Sequence, residues 1–214
     1  MVNKTVLLIS PECWGINFVS KHHYADYLSK QNKVYFLNPV TNSIINPFGN
    51  VNVEVKLVKE NLFQVNYQNI FPRLNIFPKF FQDFIYKKQA QQIQQALCVN
   101  EFDIVWSFDP RRFWNQNVWK STKKIYHSVD VHQSKFENNI SKSSDLTIIV
   151  SKYLKSKIST FKNLVNIGHG AHIIKESANF LLPGSNEIKI GFVGNFLSDN
   201  IDYVYPMHET SYLN

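Results

Sequence analysis

The chain has 214 residues, of which 44% are hydrophobic and 18% charged, a length and composition that predict a globular protein with one substantial core. Its formal net charge of +7 suits an anionic partner such as a membrane surface, and it is equally typical of a solvated lysine-rich surface. No basic stripe indicates nucleic acid, two cysteines make no disulfide framework or zinc pattern, and no apolar run approaches the roughly 18 residues of a spanning helix, so we expect a soluble, cytoplasmic chain.

Strands and a helix alternate at the start of the chain. A continuous apolar run at residues 5–9 predicts a strand buried on both faces of a parallel sheet. Residues 20–30 have apolar side chains at helical spacing, which predicts a helix packed on that sheet. Residues 34–37 predict a second strand, which stops at Asn38-Pro39.

The middle of the chain departs from this order. Residues 51–58 and 62–67 are two alternating runs separated by three polar residues, and they predict an antiparallel insert. Residues 79–97 then predict a helix that begins after Pro78. Its predicted core stripe consists of Phe80, Phe81, Phe84, Ile85, Ile93, Ala96 and Leu97.

Four further strands are predicted at residues 103–108, 124–129, 146–150 and 164–167, with a helix over 151–161 that Ser151 caps. Alternating strands and helices predict an α/β fold with a Rossmann-like, doubly wound, mostly parallel sheet, to which the antiparallel insert is added. In such sheets ligands bind at the carboxyl ends of the strands.

The loops after three predicted strands are therefore the candidate site. The loop after the first strand contains a single glycine, Gly15, which argues against a dinucleotide fingerprint. Its acceptor-binding candidates are Glu12, Trp14, Gly15 and, in the helix that follows, His23. Trp14 is equally interpretable as a lid on the core, and one of the adjacent His22 and His23 is expected to be solvated.

The stretch YHSVDVH, residues 126–132, is the densest group of titratable side chains. Strand alternation puts Asp130 and His132 on one face and His127 on the other, which makes three converging metal ligands difficult, and we expect no metal. Asp130 is a candidate for orienting or deprotonating a substrate hydroxyl, or it caps the following helix. Asp109 and Arg111, after the preceding strand, complete the candidate rim.

An aromatic and basic segment at residues 69–88 has two interpretations. It can lie in a membrane interface, or it is a core-packing helix with solvated lysines. The burial of Phe77, Phe80 and Phe81 distinguishes the two.

The motif order resembles the amino-terminal half of GT-B glycosyltransferases of the large group that includes sucrose synthases and mannosyltransferases. The similar motifs are an aromatic and glycine loop after the first strand, KVYFLNP, IYHSVD, SSDLTIIVSKYLKSKI, VNIGHGAH and KIGFVGNFLSDNID. The resemblance implies an acceptor-binding domain over residues 1–170, an interdomain linker over 171–186, and the start of a truncated nucleotide-sugar domain over 187–214.

The resemblance also implies a function. The parent protein would transfer a hexose from a nucleotide sugar to a glycan or lipid-linked acceptor at the inner membrane face, in cell-surface polysaccharide biosynthesis, with no cofactor and no activity in this chain alone. By the resemblance, Asp130 stands where related transferases place a catalytic or acceptor-orienting carboxylate. His132 is the second catalytic candidate, and Asp109, Arg111 and His127 are acceptor-binding candidates. The donor phosphates would approach His169, Gly170, Gly194 and Asn195. The alternatives are a non-catalytic flavodoxin-like partner-binding domain and a nucleotide-sugar epimerase.

Overall fold

The structure is a computed structural model that describes residues 1–15, 18–40, 49–71, 74–130, 136–157 and 163–168. The chain divides into two units, Met1–Ala171 and His172–Asn214, and every described residue lies in the first. The predicted linker at 171–186 and the predicted start of a second domain at 187–214 lie outside the described residues.

The described chain builds an eight-stranded sheet in the order β3-β4-β2-β1-β5-β6-β7-β8. The strands are β1 (Thr5–Ile9), β2 (Lys33–Leu37), β3 (Val53–Lys59), β4 (Leu62–Tyr67), β5 (Phe102–Ser107), β6 (Ser121–Ser128), β7 (Leu146–Ile149) and β8 (Leu164–Asn166). The helices are α1 (Ser20–Leu28), α2 (Lys79–Ala96), α3 (Glu137–Ser143) and α4 (Lys152–Lys157), with 3-10 turns at Leu74–Ile76 and Gln116–Val118.

The pairing of the strands confirms the predicted fold class. β1 lies at the centre, where Leu7 is in parallel register with Tyr35 of β2 and Val105 of β5. All neighbouring strands run parallel except β3 and β4, which form the expected antiparallel hairpin. The hairpin enters the sheet through β4, which pairs in parallel with β2.

Two hydrophobic cores lie on opposite faces of the sheet because successive strand residues point to opposite sides. Leu7 and Ile9 of β1 pack with Ile85 and Ile93 of α2 on one face. On the other face, Val6 and Leu8 pack with residues of α1 and β2. Residues 6–9 are fully buried, which explains the continuous apolar run that predicts this strand.

Helix α2 forms where it is predicted, but its predicted core stripe is wrong in part. Phe80, Phe84 and Ala96 are exposed, and the helix buries three glutamines instead. Gln82 accepts from the indole N–H of Trp114 at 3.2 Å, and the side chain of Gln94 exchanges two hydrogen bonds with the backbone of Lys120. These bonds fix the rotation of the helix, because a buried amide without partners is costly. No helix in the described part of the chain is long and apolar enough to cross a bilayer.

Candidate functional site

The carboxyl edge of the sheet is the edge at which β2, β1, β5 and β6 end side by side. The residues that follow these strands include Asn38, Ser10, Asp109 and Asp130. The loops predicted to form a ligand rim therefore lie in one row, since the four strands are parallel neighbours.

Arg112 ties this edge together. Its Nε donates to Oδ2 of Asp109 at 2.6 Å, and its Nη1 donates to the carbonyl oxygen of Asn38 at 2.8 Å and to the hydroxyl of Tyr67 at 3.0 Å. Nη2 donates to the carbonyl oxygen of Ser10. One guanidinium thus joins the ends of β1, β2, β4 and β5 through its fixed fork of donors.

The electrostatics of this cluster keep the Arg112 guanidinium charged. Burial lowers the pKa of Arg112, but the interactions with Tyr67 and with the Asp109 carboxylate outweigh burial, so the pKa lies above its ordinary value. Burial raises the pKa of Tyr67, and Arg112 opposes that shift. At neutral pH the guanidinium is therefore charged and the phenol is neutral.

Phe113 holds the Arg112 side chain in this position. Its backbone has a φ of 48°, in the left-handed region that bulky residues rarely adopt. The ring is fully buried and contacts Trp119 at 4.8 Å, Tyr86 at 5.0 Å and Tyr67 at 6.0 Å between ring centroids. The packing compensates for the backbone conformation, which turns the chain directly after Arg112.

The loop after β1 is fixed through Trp14. The backbone N–H of Trp14 donates to Oδ1 of Asn38 at 2.8 Å, and its ring contacts Phe36 at 5.0 Å and His22 at 5.3 Å. Trp14 is half-buried. Its ring covers the α1-side core, as the lid interpretation predicts, and its acceptor-binding role stays a prediction.

The two histidines at the start of α1 have different environments. His22 is fully buried, and its Nδ1 accepts from the backbone N–H of Val19 at 3.2 Å, so that Nε2 carries the proton and donates to the carbonyl oxygen of Cys13 at 3.0 Å. His23 is exposed, as expected for one of the pair. His22 positions the loop, and His23 is accessible to a ligand.

Glu12 and Gly15 are exposed on the same loop. Glu12 forms an ion pair with the buried Lys21 of α1. A side chain added at Gly15 would meet nothing closer than the Cys13 carbonyl oxygen at 3.9 Å, so space does not require glycine there. The acceptor-binding roles of both residues stay predictions.

Asp109 and Arg111 lie at the same edge but differ in accessibility. Asp109 is buried, and its Oδ1 accepts from the backbone N–H of Arg111 at 2.8 Å while Oδ2 holds Arg112. The side chain of Arg111 is exposed. Asp109 therefore positions the loop, and Arg111 presents a cation at the rim.

His127 is the second-last residue of β6 and lies beneath the rim. Its fully buried ring contacts Phe108 at 4.8 Å, Tyr24 at 5.5 Å and Trp106 at 5.9 Å between centroids. The cluster joins α1 to β5 and β6 under the candidate site. The predicted acceptor role of His127 stays a prediction.

Asp130 is exposed directly after β6, and its carbonyl oxygen accepts from the hydroxyl of Ser128 at 3.3 Å. It does not cap α3, because the N-cap of that helix is Phe136. That alternative for Asp130 is therefore wrong, and its catalytic role stays a prediction. His132, His169, Gly170, Gly194 and Asn195 lie outside the described residues.

A second buried polar cluster at this edge was not predicted. Oε1 of Glu137, in the first turn of α3, accepts from the hydroxyls of Tyr126 and Ser128, each at 2.9 Å. Burial and the neighbouring Glu137 carboxylate raise the pKa of Tyr126. The strand end Ser128-x-Asp130 is recognisable in the sequence, but it does not indicate that Glu137 is the hydrogen-bond partner.

The site combines a rigid base with exposed polar groups. Arg112 and its partners are largely buried, while Glu12, His23, Arg111 and Asp130 are exposed. Carboxylates and cations in this arrangement can hydrogen-bond sugar hydroxyls or hold an anionic group. Among the described residues, no three His, Cys, Asp or Glu side chains converge as metal ligands.

Comparison with known proteins finds solved structures with a fold similar to that of this chain. No protein-family model and no curated sequence matches the chain. The fold is similar to that of an alpha,alpha-trehalose 6-phosphate synthase from Burkholderia multivorans, with a TM-score of 0.51 and 9% identity over 74% of this chain. This chain spans 42% of that protein's length.

Two further structures are more distant. A sucrose-phosphate synthase from Thermosynechococcus elongatus matches with a TM-score of 0.47 and 12% identity over 77% of this chain and 88% of its own. An alpha,alpha-trehalose-phosphate synthase from Burkholderia xenovorans gives 0.42 and 11% over 70% and 41%. The Burkholderia multivorans match supports the GT-B resemblance at the level of the fold.

Proposed function

We propose that this chain forms the acceptor-binding part of a glycosyltransferase. The enzyme transfers a hexose from a nucleotide sugar to a glycan or lipid-linked acceptor in the synthesis of a cell-surface polysaccharide, at the cytoplasmic side of the membrane. The observation that carries the proposal is the carboxyl edge, where one buried arginine joins four strand ends and leaves Glu12, His23, Arg111 and Asp130 exposed. Parallel α/β sheets bind their ligands at this edge.

The exposed groups have complementary roles in the proposal. Glu12 accepts hydrogen bonds from acceptor hydroxyls, and Arg111 binds an anionic group such as a phosphate of the acceptor. Asp130 accepts the proton of the reacting hydroxyl. The hydroxyl oxygen forms a bond to the anomeric carbon of the donor as the bond from that carbon to the nucleotide phosphate breaks, and the nucleotide leaves.

The donor side of the proposal follows from the resemblance alone. His169, Gly170, Gly194 and Asn195 would approach the donor phosphates, and His132 would assist Asp130. The nucleotide sugar is a substrate, so the proposal includes no cofactor.

The test is a transfer assay with the protein expressed from its complete gene. Radiolabelled UDP-glucose and GDP-mannose are incubated with a membrane extract of the host, and incorporation of label is measured. We expect Asp130→Asn to reduce incorporation by about 100-fold or more, because loss of a general base costs about 10²–10⁴ in rate. Glu60→Gln is the matched control, since Glu60 is an exposed carboxylate in the turn between β3 and β4.

Two outcomes would contradict the proposal. Incorporation that is the same for Asp130→Asn and Glu60→Gln would remove Asp130 from the reaction. Absence of incorporation from every nucleotide sugar tested would favour a binding domain without chemistry.

A further inference from the structure

Exposed apolar side chains lie at the start of helix α2. Ile76 is 71% exposed, Phe80 76% and Phe84 64%. Phe80 and Phe84 are spaced by four in α2, so they project on one side of the helix start, and Ile76 lies in the 3-10 turn that precedes it. We call Ile76, Phe80 and Phe84, together with the flanking exposed Lys79 and Lys87, the aromatic patch. Contiguous exposed apolar side chains with a polar surround mark interaction surfaces.

A cluster of three phenylalanine rings packs together beneath the patch. Phe77 contacts Phe71 at 5.0 Å and Phe81 at 5.1 Å between ring centroids, and Phe71 contacts Phe81 at 5.5 Å. All three rings are half-buried. Phe77 and Phe81 thus anchor the segment, as the core-packing interpretation predicts, whereas Phe80 is exposed. The membrane-interface interpretation stays a prediction.

The polarity of α2 changes along its outward side. Phe80 and Phe84 occupy the same side of the helix as Lys87, Gln91 and Gln95, all of them exposed. The apolar part therefore occupies only the first half of the helix. A helix that lay on a protein partner along its length would be apolar in both halves.

The first half of α2 is the half next to the candidate site. Gln82 accepts from the indole N–H of Trp114 at 3.2 Å, and Nζ of Lys79 lies 5.9 Å from the centre of the Trp114 ring. Trp114 follows Arg112 by two residues. Lys79 of the aromatic patch is thus next to the loop that carries Arg111 and Arg112.

The charges of the patch favour an anionic partner. Lys79 and Lys87 are exposed beside the rings, and Asp83 is the one acidic residue of α2. Asp83 is half-buried, and burial raises the pKa of its carboxyl group. The outward side of α2 therefore presents lysines and aromatic rings, the composition of interfacial membrane helices.

We propose that the aromatic patch docks this protein on an anionic lipid bilayer, with Phe80 and Phe84 inserted at the headgroup boundary and Lys79 and Lys87 at the lipid phosphates. A second copy of the chain is disfavoured, because a two-fold contact through the patch would bring the same lysines together. The formal charge of +7 also favours an anionic surface over self-association. Docking brings the rim to the surface, where a lipid-linked acceptor is presented; this last consequence rests on the function proposed above.

The experiment is co-sedimentation with vesicles of phosphatidylcholine containing about 30% phosphatidylglycerol, compared with phosphatidylcholine alone. We expect binding to the anionic vesicles that weakens at about 0.5 M salt. Phe80→Gln with Phe84→Gln extends the polar stripe and should weaken binding by about thirtyfold or more. Lys79→Gln with Lys87→Gln should weaken it by about 25-fold on anionic vesicles, or about fivefold for each lysine.

The control is Tyr27→Gln, which removes a comparably exposed aromatic ring, 71% exposed, from α1 on the opposite face of the sheet. It should bind as the wild type does. The proposal is overturned if the wild type does not sediment with anionic vesicles, or if Tyr27→Gln weakens binding as much as the double phenylalanine variant. It is also overturned if the patch variants abolish a concentration-dependent dimer and leave vesicle binding unchanged.

Sedimentation needs no donor or acceptor, so this test is independent of the transfer assay. Vesicle binding without transfer contradicts the proposed function alone. Transfer to an acceptor in detergent without vesicle binding contradicts the docking alone.

Discussion

A charged pair lies near each end of β5, and the two pairs differ in burial. At the amino edge, Nζ of Lys4 lies 3.0 Å from Oδ1 of Asp103, with side chains 47% and 35% exposed. At the carboxyl edge, Nε of Arg112 lies 2.6 Å from Oδ2 of Asp109, with side chains 13% and 6% exposed. The two ends of β5 thus offer a comparison of exposed and buried charge.

The difference in burial determines what each pair does. The exposed pair is screened by water and contributes about 0–1 kcal/mol. The buried pair loses hydration, and its loss is offset only because Arg112 also donates to the carbonyl oxygens of Ser10 and Asn38 and to Tyr67. The buried pair therefore fixes the geometry of the loops at the candidate site, whereas the exposed pair only secures a strand start.

The largest expected effect comes from breaking the buried pair. Arg112→Gln leaves the Asp109 carboxylate buried without its cation, and we expect the free energy of unfolding to fall by about 3–5 kcal/mol. Urea unfolding monitored by circular dichroism measures this change. Arg111→Gln, at the exposed neighbouring arginine, should change stability by no more than about 0.5 kcal/mol.

Equal effects of these two substitutions would contradict the assignment of Arg112 as the residue that joins the strand ends. The double variant Asp109→Asn with Arg112→Gln sharpens the comparison. Its loss should be smaller than the sum of the two single losses, because no unpaired charge remains buried.

A smaller effect is expected when one bond of the cluster is removed. Tyr67→Phe deletes the hydroxyl that accepts from Nη1 of Arg112 and leaves that N–H without this partner. We expect a loss of about 1–3 kcal/mol in the free energy of unfolding, measured in the same urea titration. Tyr27→Phe is the control, since Tyr27 is 71% exposed and should unfold as the wild type does. A Tyr67→Phe variant as stable as the wild type would mean that water replaces the phenol.

The sequence predicts these strands of the sheet well, because burial of a strand requires apolar residues in a recognisable pattern. The run at residues 5–9 matches β1 at both ends, and the alternating run at 62–67 matches β4 at both ends. The core stripe of α2 was predicted wrongly in part, because Gln82 and Gln94 are buried through specific hydrogen bonds. Hydrophobic periodicity contains no information about such bonds.

The candidate site was predicted at the level of its loops and less well at the level of its residues. Strand order alone brings the loops together, so their shared edge follows from the alternation of elements. Which of two adjacent arginines points inward depends on the local turn, and the left-handed backbone of Phe113 is not predictable from a phenylalanine. The contact of Arg112 with Ser10 joins residues far apart in the sequence, which no local pattern encodes.

The smallest expected effect is the pH dependence at the exposed pair. Oδ2 of Asp103 accepts from the backbone N–H of Thr5 at 2.8 Å, and this bond, together with the bond from Lys4, lowers the pKa of Asp103 below its ordinary value. The unfolded carboxyl group titrates near about pH 3.9. Because the folded pKa is the lower of the two, the charged form stabilises the folded chain above the unfolded pKa, and that stability is lost as pH falls through the folded pKa.

Asp103→Asn should therefore be less stable than the wild type at neutral pH, by less than about 1 kcal/mol after screening by solvent. The difference should shrink on acidification and vanish below the folded pKa, because both side chains are then neutral. Urea midpoints of the two proteins across this acid range measure the difference. Lys4→Gln is the control that separates the two hydrogen bonds: it removes the cation and keeps the Thr5 bond, so most of the pH dependence should remain. If Lys4→Gln abolishes it, the ion pair and not the backbone bond holds the carboxylate, and the amino edge resembles the carboxyl edge more closely than its exposure indicates.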